Sequence, residues 1–304
     1  MLSSSVDRTS IRSYTSSSVT LTSGPFLGNS QGQIQLCCDG SGVLYVSNGG
    51  FNYYSINPVT AVVTAGLASA YGIDAISVTL AGVVFFASGG PVYAVGGAYG
   101  ATPVLLFSPT GGVYMQCFYV NSTGTAVYCY DSNGGSLCKY TQWSGGTATR
   151  TVMTTTSAVT NGYTTISGTD GGMIATGVSS PYQYIDIIPQ WFGPISALNG
   201  SYITDYNGRV TFGYGVAIDS DMSPIYVTGA NPSGVPRNDG AAVLFRAVAG
   251  TNNEINIPIT AWAPYGVAVH PLTRAIYVIS FGLSGRADAG AGVCSNITTL
   301  TPNF

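Results

Sequence analysis

The sequence predicts an all-β fold, a six-bladed β-propeller whose ring is closed by an N-terminal strand. Three observations predict it. A two-strand unit recurs: Pro264 to Ser280, PYGVAVHPLTRAIYVIS, repeats the design of Tyr214 to Gly229, YGVAIDSDMSPIYVTG, fifty-one residues earlier, so that Tyr214 aligns with Tyr265, Asp219 with His270 and Tyr226 with Tyr277. Second-strand positions at Leu44, Phe85, Val127, Ile174, Ile225 and Ile276 are then spaced by 41, 42, 47, 51 and 51 residues, the period of propeller blades. The composition agrees, with 41 Gly and 21 Tyr among 304 residues and abundant Val, Ile and Thr; the β-branched and aromatic residues favour strands and Gly favours tight turns. A β-sandwich or a pair of all-β domains is the alternative.

Taken in order, residues 1–17 form a polar, Ser/Thr-rich arm, and 18–304 form one propeller domain. Ser18 to Ser23 alternates polar and apolar residues like a half-buried strand. The first unit pairs Gln33 to Cys38 with Val43 to Ser47 around Asp39-Gly40-Ser41-Gly42, and adds Tyr53 to Asn57 and Ala61 to Ala65. The second runs from Tyr71 to Phe107 and the third from Gly112 to Met153, the latter turning at Asn121-Ser122-Thr123-Gly124. The fourth is less regular, with Tyr163 to Ser167, Met173 to Thr176 and Tyr184 to Ile188 followed by a looser stretch through Trp191. The fifth starts at Tyr214 and ends with Ala242 to Ala247 and Ile255 to Thr260. The sixth has two clear strands from Tyr265, then a Gly/Ala-rich segment and a short tail around Ile297 to Leu300. Its outer strands are incomplete, and the segment near Val19 to Leu21 supplies the missing one, because an unfinished sheet would leave an unpaired edge. No amphipathic helix stands out.

Charge is scarce: 7% of residues are charged, the net charge is −3 and the pI is about 4.8. Lys139 is the single lysine, and the cations are scattered, so nucleic-acid binding, which needs clustered Lys and Arg, is not expected. No window of 18 or more apolar residues predicts a membrane span, and the start, MLSSSVDRTSIRSY, lacks the apolar core of a secretory signal.

Six cysteines, an even number, fit an oxidising compartment. Cys129 and Cys138 flank the turn signal Asp131-Ser132-Asn133-Gly134-Gly135, which places them on facing strands as candidates for a disulfide; the other reading is two small buried hydrophobes. N-glycosylation sequons stand at Asn121, Asn199 and Asn296.

Two of the units resemble NHL-type and YVTN-type propeller repeats: Pro264-Tyr265-Gly266-Val267-Ala268-Val269 with Ile276-Tyr277-Val278, and Tyr214-Gly215-Val216-Ala217-Ile218-Asp219 with Ile225-Tyr226-Val227. Val43-Leu44-Tyr45-Val46 after Asp39 is a looser third. The resemblance implies a fold and structural roles: the apolar residues pack between blades and the Asp caps the turn. His270 departs from it by standing where that Asp is usual.

Chemistry has few carriers. His270 is the only histidine, and its alignment with Asp219 makes it a turn residue. Asp219-Ser220-Asp221 reads as a turn whose side chains bond the local backbone, with a Ca²⁺ loop as the other reading. Asp74, within Ile73-Asp74-Ala75-Ile76, falls on an inner strand, where its carboxylate either faces the central channel or serves a structural hydrogen bond. Trp143, Trp191 and Trp262 either fill blade interfaces or stack on sugars. No acidic cluster in phase with the repeats matches a metal-dependent propeller hydrolase, and no Ser-His-Asp order is supported.

The expectation is therefore a non-enzymatic extracellular structural subunit without cofactor or metal, partnered by copies of itself. An arm docked on the next copy makes a head-to-tail contact that builds a filament or surface layer. The alternatives are a monomeric propeller binding glycans or surface proteins and, third, a metal-dependent hydrolase.

Overall fold

The computed structural model describes residues 13–21, 36–47, 51–66, 72–111, 115–131 and 136–155, and beyond these the segments 165–169, 172–176, 181–185, 190–194, 203–204, 210–219, 224–230, 242–247, 254–259, 262–282 and 296–303. The chain opens with β1 (Ser13–Thr20). The first sheet follows with β2 (Leu36–Cys38), β3 (Leu44–Ser47), β4 (Tyr53–Ile56) and β5 (Val63–Ala65). The second holds β6 (Ala75–Val78), β7 (Val84–Ala87), β8 (Val92–Val95) and β9 (Val104–Phe107), with a 3-10 turn at Gly97–Tyr99. The third holds β10 (Met115–Val120), β11 (Ala126–Asp131), β12 (Ser136–Ser144) and β13 (Thr147–Thr155). The fourth holds β14 (Thr165–Thr169), β15 (Gly172–Thr176), β16 (Pro181–Ile185) and β17 (Gln190–Pro194). The fifth holds β18 (Ile203–Thr204), β19 (Val210–Ile218), β20 (Pro224–Ala230), β21 (Ala242–Ala247) and β22 (Glu254–Ile259). The sixth holds β23 (Trp262–Val269), β24 (Ile276–Gly282) and β25 (Asn296–Asn303).

Among the described residues these strands form six antiparallel sheets, five of four strands and one of five. Each is a meander in chain order except the sixth, whose order is β1-β25-β24-β23. β1 pairs with β25 from Ser13–Asn303 to Thr20–Asn296 without a register shift. The predicted boundary after residue 17 falls inside a strand, with residues 13–17 paired to β25 in the last sheet of their own chain. The looser stretch expected around Trp191 is partly strand, as β17.

In the first and second sheets both faces are buried where they meet their neighbours, which is why strands such as β3 and β7 read as near-continuous apolar runs. Alternate residues of one strand go to opposite interfaces. On β3, Leu44 and Val46 join Ala268, Tyr277, Ile279 and Ile297 of the sixth sheet, while Tyr45 packs with Ile76, Val78 and Phe86 of the second. On β7, Val84 and Phe86 face the first sheet, and Phe85 and Ala87 face Met115, Val127 and Cys129 of the third.

The predicted repeat positions are one residue out of phase in two sheets. Leu44, Val84, Val127, Pro224 and Ile276 are the equivalent positions on the second strands, each paired with the last residue of the first strand. Phe85 and Ile225 stand one residue later, because the turns differ in length, and for Phe85 that single residue changes the interface it enters.

Candidate functional site

Among the described residues, four inner hairpins end in a turn whose first residue caps it. Asp39 Oδ1 accepts the Ser41 and Val43 N–H groups, both at 2.9 Å. Thr79 Oγ1 accepts Val83 N–H at 3.1 Å. Asn121 Oδ1 accepts Thr125 and Ala126 N–H at 2.8 and 2.9 Å. His270 Nδ1 accepts Leu272 and Thr273 N–H at 3.1 and 3.4 Å. Four different side chains thus perform one task, that of satisfying turn amides that would otherwise lack partners. His270 stands in the capping position, as its alignment with Asp219 predicted.

These turns are also the joints between sheets. Gly40 N–H donates to Leu80 O at 3.0 Å, and Leu80 N–H to Ser122 O at 3.2 Å. A glycine in the following turn lies against the cap and against an aromatic of the preceding sheet. A Cβ on Gly42 (φ +87) would stand 3.3 Å from the His270 ring and 3.5 Å from the Tyr277 hydroxyl. On Gly82 (φ +78) it would stand 3.3 Å from Asp39 Oδ2 and 3.5 Å from the Tyr45 hydroxyl. On Gly124 (φ +72) it would meet Phe85 and Thr79 at 3.2 Å. The cap, the aromatic and the next glycine form a recurring three-part joint.

Between the fifth and sixth sheets the joint is ionic. Arg274, at φ +62, donates from Nε to both oxygens of Asp219 at 2.9 Å and from Nη2 to Oδ2 at 2.8 Å. Asp219 is fully buried. This guanidinium is the partner that sequence reasoning missed. The position of Arg274 at the end of the turn aligned with Asp219 was the available signal.

Burial governs the electrostatics of this end. Desolvation lowers the pKa of His270 against an opposing pull from Asp39. Burial, helped by Cys38 and Asp39, pushes the Tyr277 phenol up to about 12. Burial also raises Cys37, Cys38 and Tyr45, in each case reinforced by Asp39. These groups are held in their neutral forms, a property of a packed joint and not of a nucleophile.

At the other end of the second sheet's inner hairpin stands Asp74. It is half-buried, its N–H donates to Ala87 O at 2.9 Å, and its Oδ2 accepts Gly89 N–H at 2.6 Å. Gly89 (φ +62) has no atom within 4 Å of where a Cβ would stand. The neighbouring Ser88 hydroxyl is buried without a hydrogen-bond partner. A half-buried carboxylate beside an open glycine loop can engage a ligand bearing donor groups.

The remaining predicted residues are placed as follows. Cys129 and Cys138 face each other across β11 and β12, as expected, but they are separate thiols buried in the core between the second and third sheets. The expected disulfide is not formed. Directly opposed strand residues hold their Cβ atoms about 4.5–5.5 Å apart, wider than the ~3.8 Å typical of a bridge. Asn121 spends its amide on the turn cap, its Nδ2 donating to the Thr123 and Thr125 hydroxyls at 3.1 and 2.9 Å. Asn296 is buried on β25, and its Oδ1 accepts the Thr20 hydroxyl at 3.2 Å; that burial leaves a glycan no room. Asn199 and Asp221 lie outside the described residues. Trp143, partly buried, packs against the core, stacked on Phe107 at 5.9 Å and edge-on to Phe85 at 6.1 Å. Among the described residues no three His, Cys, Asp or Glu side chains are grouped to hold a metal, and no helix is long and apolar enough to cross a membrane.

No family model matches the chain, and no curated protein matches it. Solved structures do. Virginiamycin B lyase from Staphylococcus aureus is similar over 95% of this chain and 100% of its own, with 13% identity and a TM-score of 0.53. A luciferin-regenerating enzyme is similar over 96% of this chain and 97% of its own, with 12% identity and a TM-score of 0.57. Regucalcin from Agrobacterium tumefaciens, a calcium-binding protein, is similar over 93% and 96%, with 12% identity and a TM-score of 0.55. The chain has the fold of propeller proteins and resembles NHL-type propellers at the level of fold. These neighbours overturn the expectation of a purely non-enzymatic extracellular structural subunit: the fold is shared with enzymes, so its blandness in charge is no argument for an inert building part.

Proposed function

We propose that the chain is a six-bladed ring, closed by β1, that binds and acts on a small molecule at the end remote from the inner-hairpin turns, with Asp74 as the polar anchor. One observation carries this reading. Of the three acids whose side chains are described, Asp39 and Asp219 serve the joints at the turn end, and Asp74 stands half-buried at the other end, its Oδ2 on the N–H of Gly89 in an open loop. The ring is supported by the succession of inner strands: β2, β6, β10, β14, β19 and β23 adjoin in that order, and β23 adjoins β2. Action on a small molecule is supported by the company the fold keeps, a lyase and a luciferin-regenerating enzyme among its neighbours. Ligands with hydroxyl or amino donors suit a carboxylate acceptor. Saturation-transfer NMR with a library of polar fragments tests it. The expected result is a set of fragments that bind the wild type and are lost in Asp74→Asn, with the urea midpoint of the variant near that of the wild type. Binding indifferent to Asp74→Asn, or no binding at all, overturns it.

A further inference from the structure

The capping residues of the described turns are oxygen acceptors, Asp39, Thr79 and Asn121, with one exception: His270, at the joint between the sixth and first sheets. Because Nδ1 accepts two backbone N–H groups, the imidazole proton sits on Nε2, the atom facing Gly42. The ring is buried and anchors a turn that also closes on itself through His270 N–H to Ala275 O at 2.7 Å and Arg274 N–H to His270 O at 3.0 Å.

We propose that His270 makes the joint between the sixth and first sheets an acid-sensitive latch, released when a proton at Nδ1 turns its acceptor into a donor aimed at two other donors. The Thr79 and Asn121 caps cannot behave this way, since a hydroxyl or an amide keeps its acceptor at any pH of interest. The groups acting on the ring are the Asp39 carboxylate from the first sheet's turn and the Tyr277 phenol on β24, whose ring centroid is 6.5 Å away and on which the Cys38 thiol of β2 acts in turn. Asp39 favours the charged imidazole, but its Oδ1 already accepts three bonds and its Oδ2 the Tyr45 hydroxyl. Arg274, in the same turn, is directed to Asp219. Burial is the larger influence and lowers the His270 pKa from its ordinary 6.5. The sign follows. Below pH 6.5 the unfolded chain binds a proton that the folded chain refuses, so the contribution of the neutral cap is present above 6.5 and is lost as pH falls through the folded value.

The chain has a single histidine, so its ring C–H resonance can be followed without assignment. Two measurements test the latch: the urea unfolding constant from pH 7.5 to 5 for the wild type and for His270→Asn, which copies the Asn121 cap, and the NMR titration of the wild-type ring. The wild-type constant is expected to rise about tenfold for each unit by which the folded pKa lies below 6.5, with a shallower rise in the variant. The ring is expected to titrate below 6.5, and the Leu272, Thr273 and Gly42 amides to shift with the same midpoint. Equal pH slopes in the two proteins, or a ring titrating at or above 6.5, overturn the proposal. Should His270→Asn fail to fold, the ring titration and its accompanying amide shifts decide by themselves.

Discussion

Arg274 reaches from the last turn of the repeat to Asp219, 55 residues earlier, and grips the carboxylate with Nε and Nη2 at 2.8–2.9 Å. The pair is asymmetric in burial: the Asp219 side chain is wholly buried and the Arg274 side chain is 15% exposed. Truncating the arginine therefore strands a charge in the core. Arg274→Ala is expected to cost about 3–5 kcal/mol, and the double variant Asp219→Asn, Arg274→Ala less than the sum of the two single ones. Urea unfolding of the four proteins measures the coupling.

Gly42 and Gly145 both hold positive φ, +87 and +59, but only Gly42 has neighbours where a Cβ would go. Gly145→Ala is expected to cost the backbone strain alone, about 1–2 kcal/mol. Gly42→Ala must in addition displace the His270 ring, adding about 1–3 kcal/mol. Equal losses on denaturation would show that the joint yields without cost.

Cys129 and Cys138 are unbridged, so the unfolding midpoint is expected to be the same with and without reductant. Cys129→Ser should be more destabilising than Cys129→Ala, because it sets a hydroxyl in the apolar cluster around Phe85, Phe107 and Val127, at about 1–3 kcal/mol for an unsatisfied group.

The phenols of the joint predict an alkaline limit. The folded pKa of Tyr277 is raised from 10 to about 12. Stability tied to its neutral form is complete below pH 10 and lost as pH rises toward 12. Tyr277→Phe is expected to flatten that decline in a pH series of unfolding midpoints.

Much of this was legible in the sequence, and for a local reason. Repeat spacing and turn chemistry are properties of neighbouring residues, so Asp39 and His270 could be placed at the capping position and Asn121 in a turn, and the facing of Cys129 and Cys138 could be read from the turn between them. Whether the two thiols join was not legible, because that depends on about an ångström of Cβ separation set by the ladder. The direction in which Phe85 points was not legible either: turn length decides it, and one residue reverses a strand. The Arg274–Asp219 pair was marked only by the alignment of their two turns, since packing alone brings those turns together. Asp74 was placed on the inner strand, but the buried Ser88 hydroxyl beside it is a fact of three dimensions.

The first strand of the chain is hydrogen-bonded to its last. Thr15 donates its hydroxyl to Asn303 across 288 residues, and the whole of β1 is laid against β25. During synthesis, at about 5–20 residues per second, β1 waits about 15–60 s on the ribosome before its partner exists. An apolar, β-prone strand left waiting so long would invite pairing with strangers. SYTSSSVT carries instead a run of hydroxyls and one valine, a sequence that tolerates water until β25 arrives.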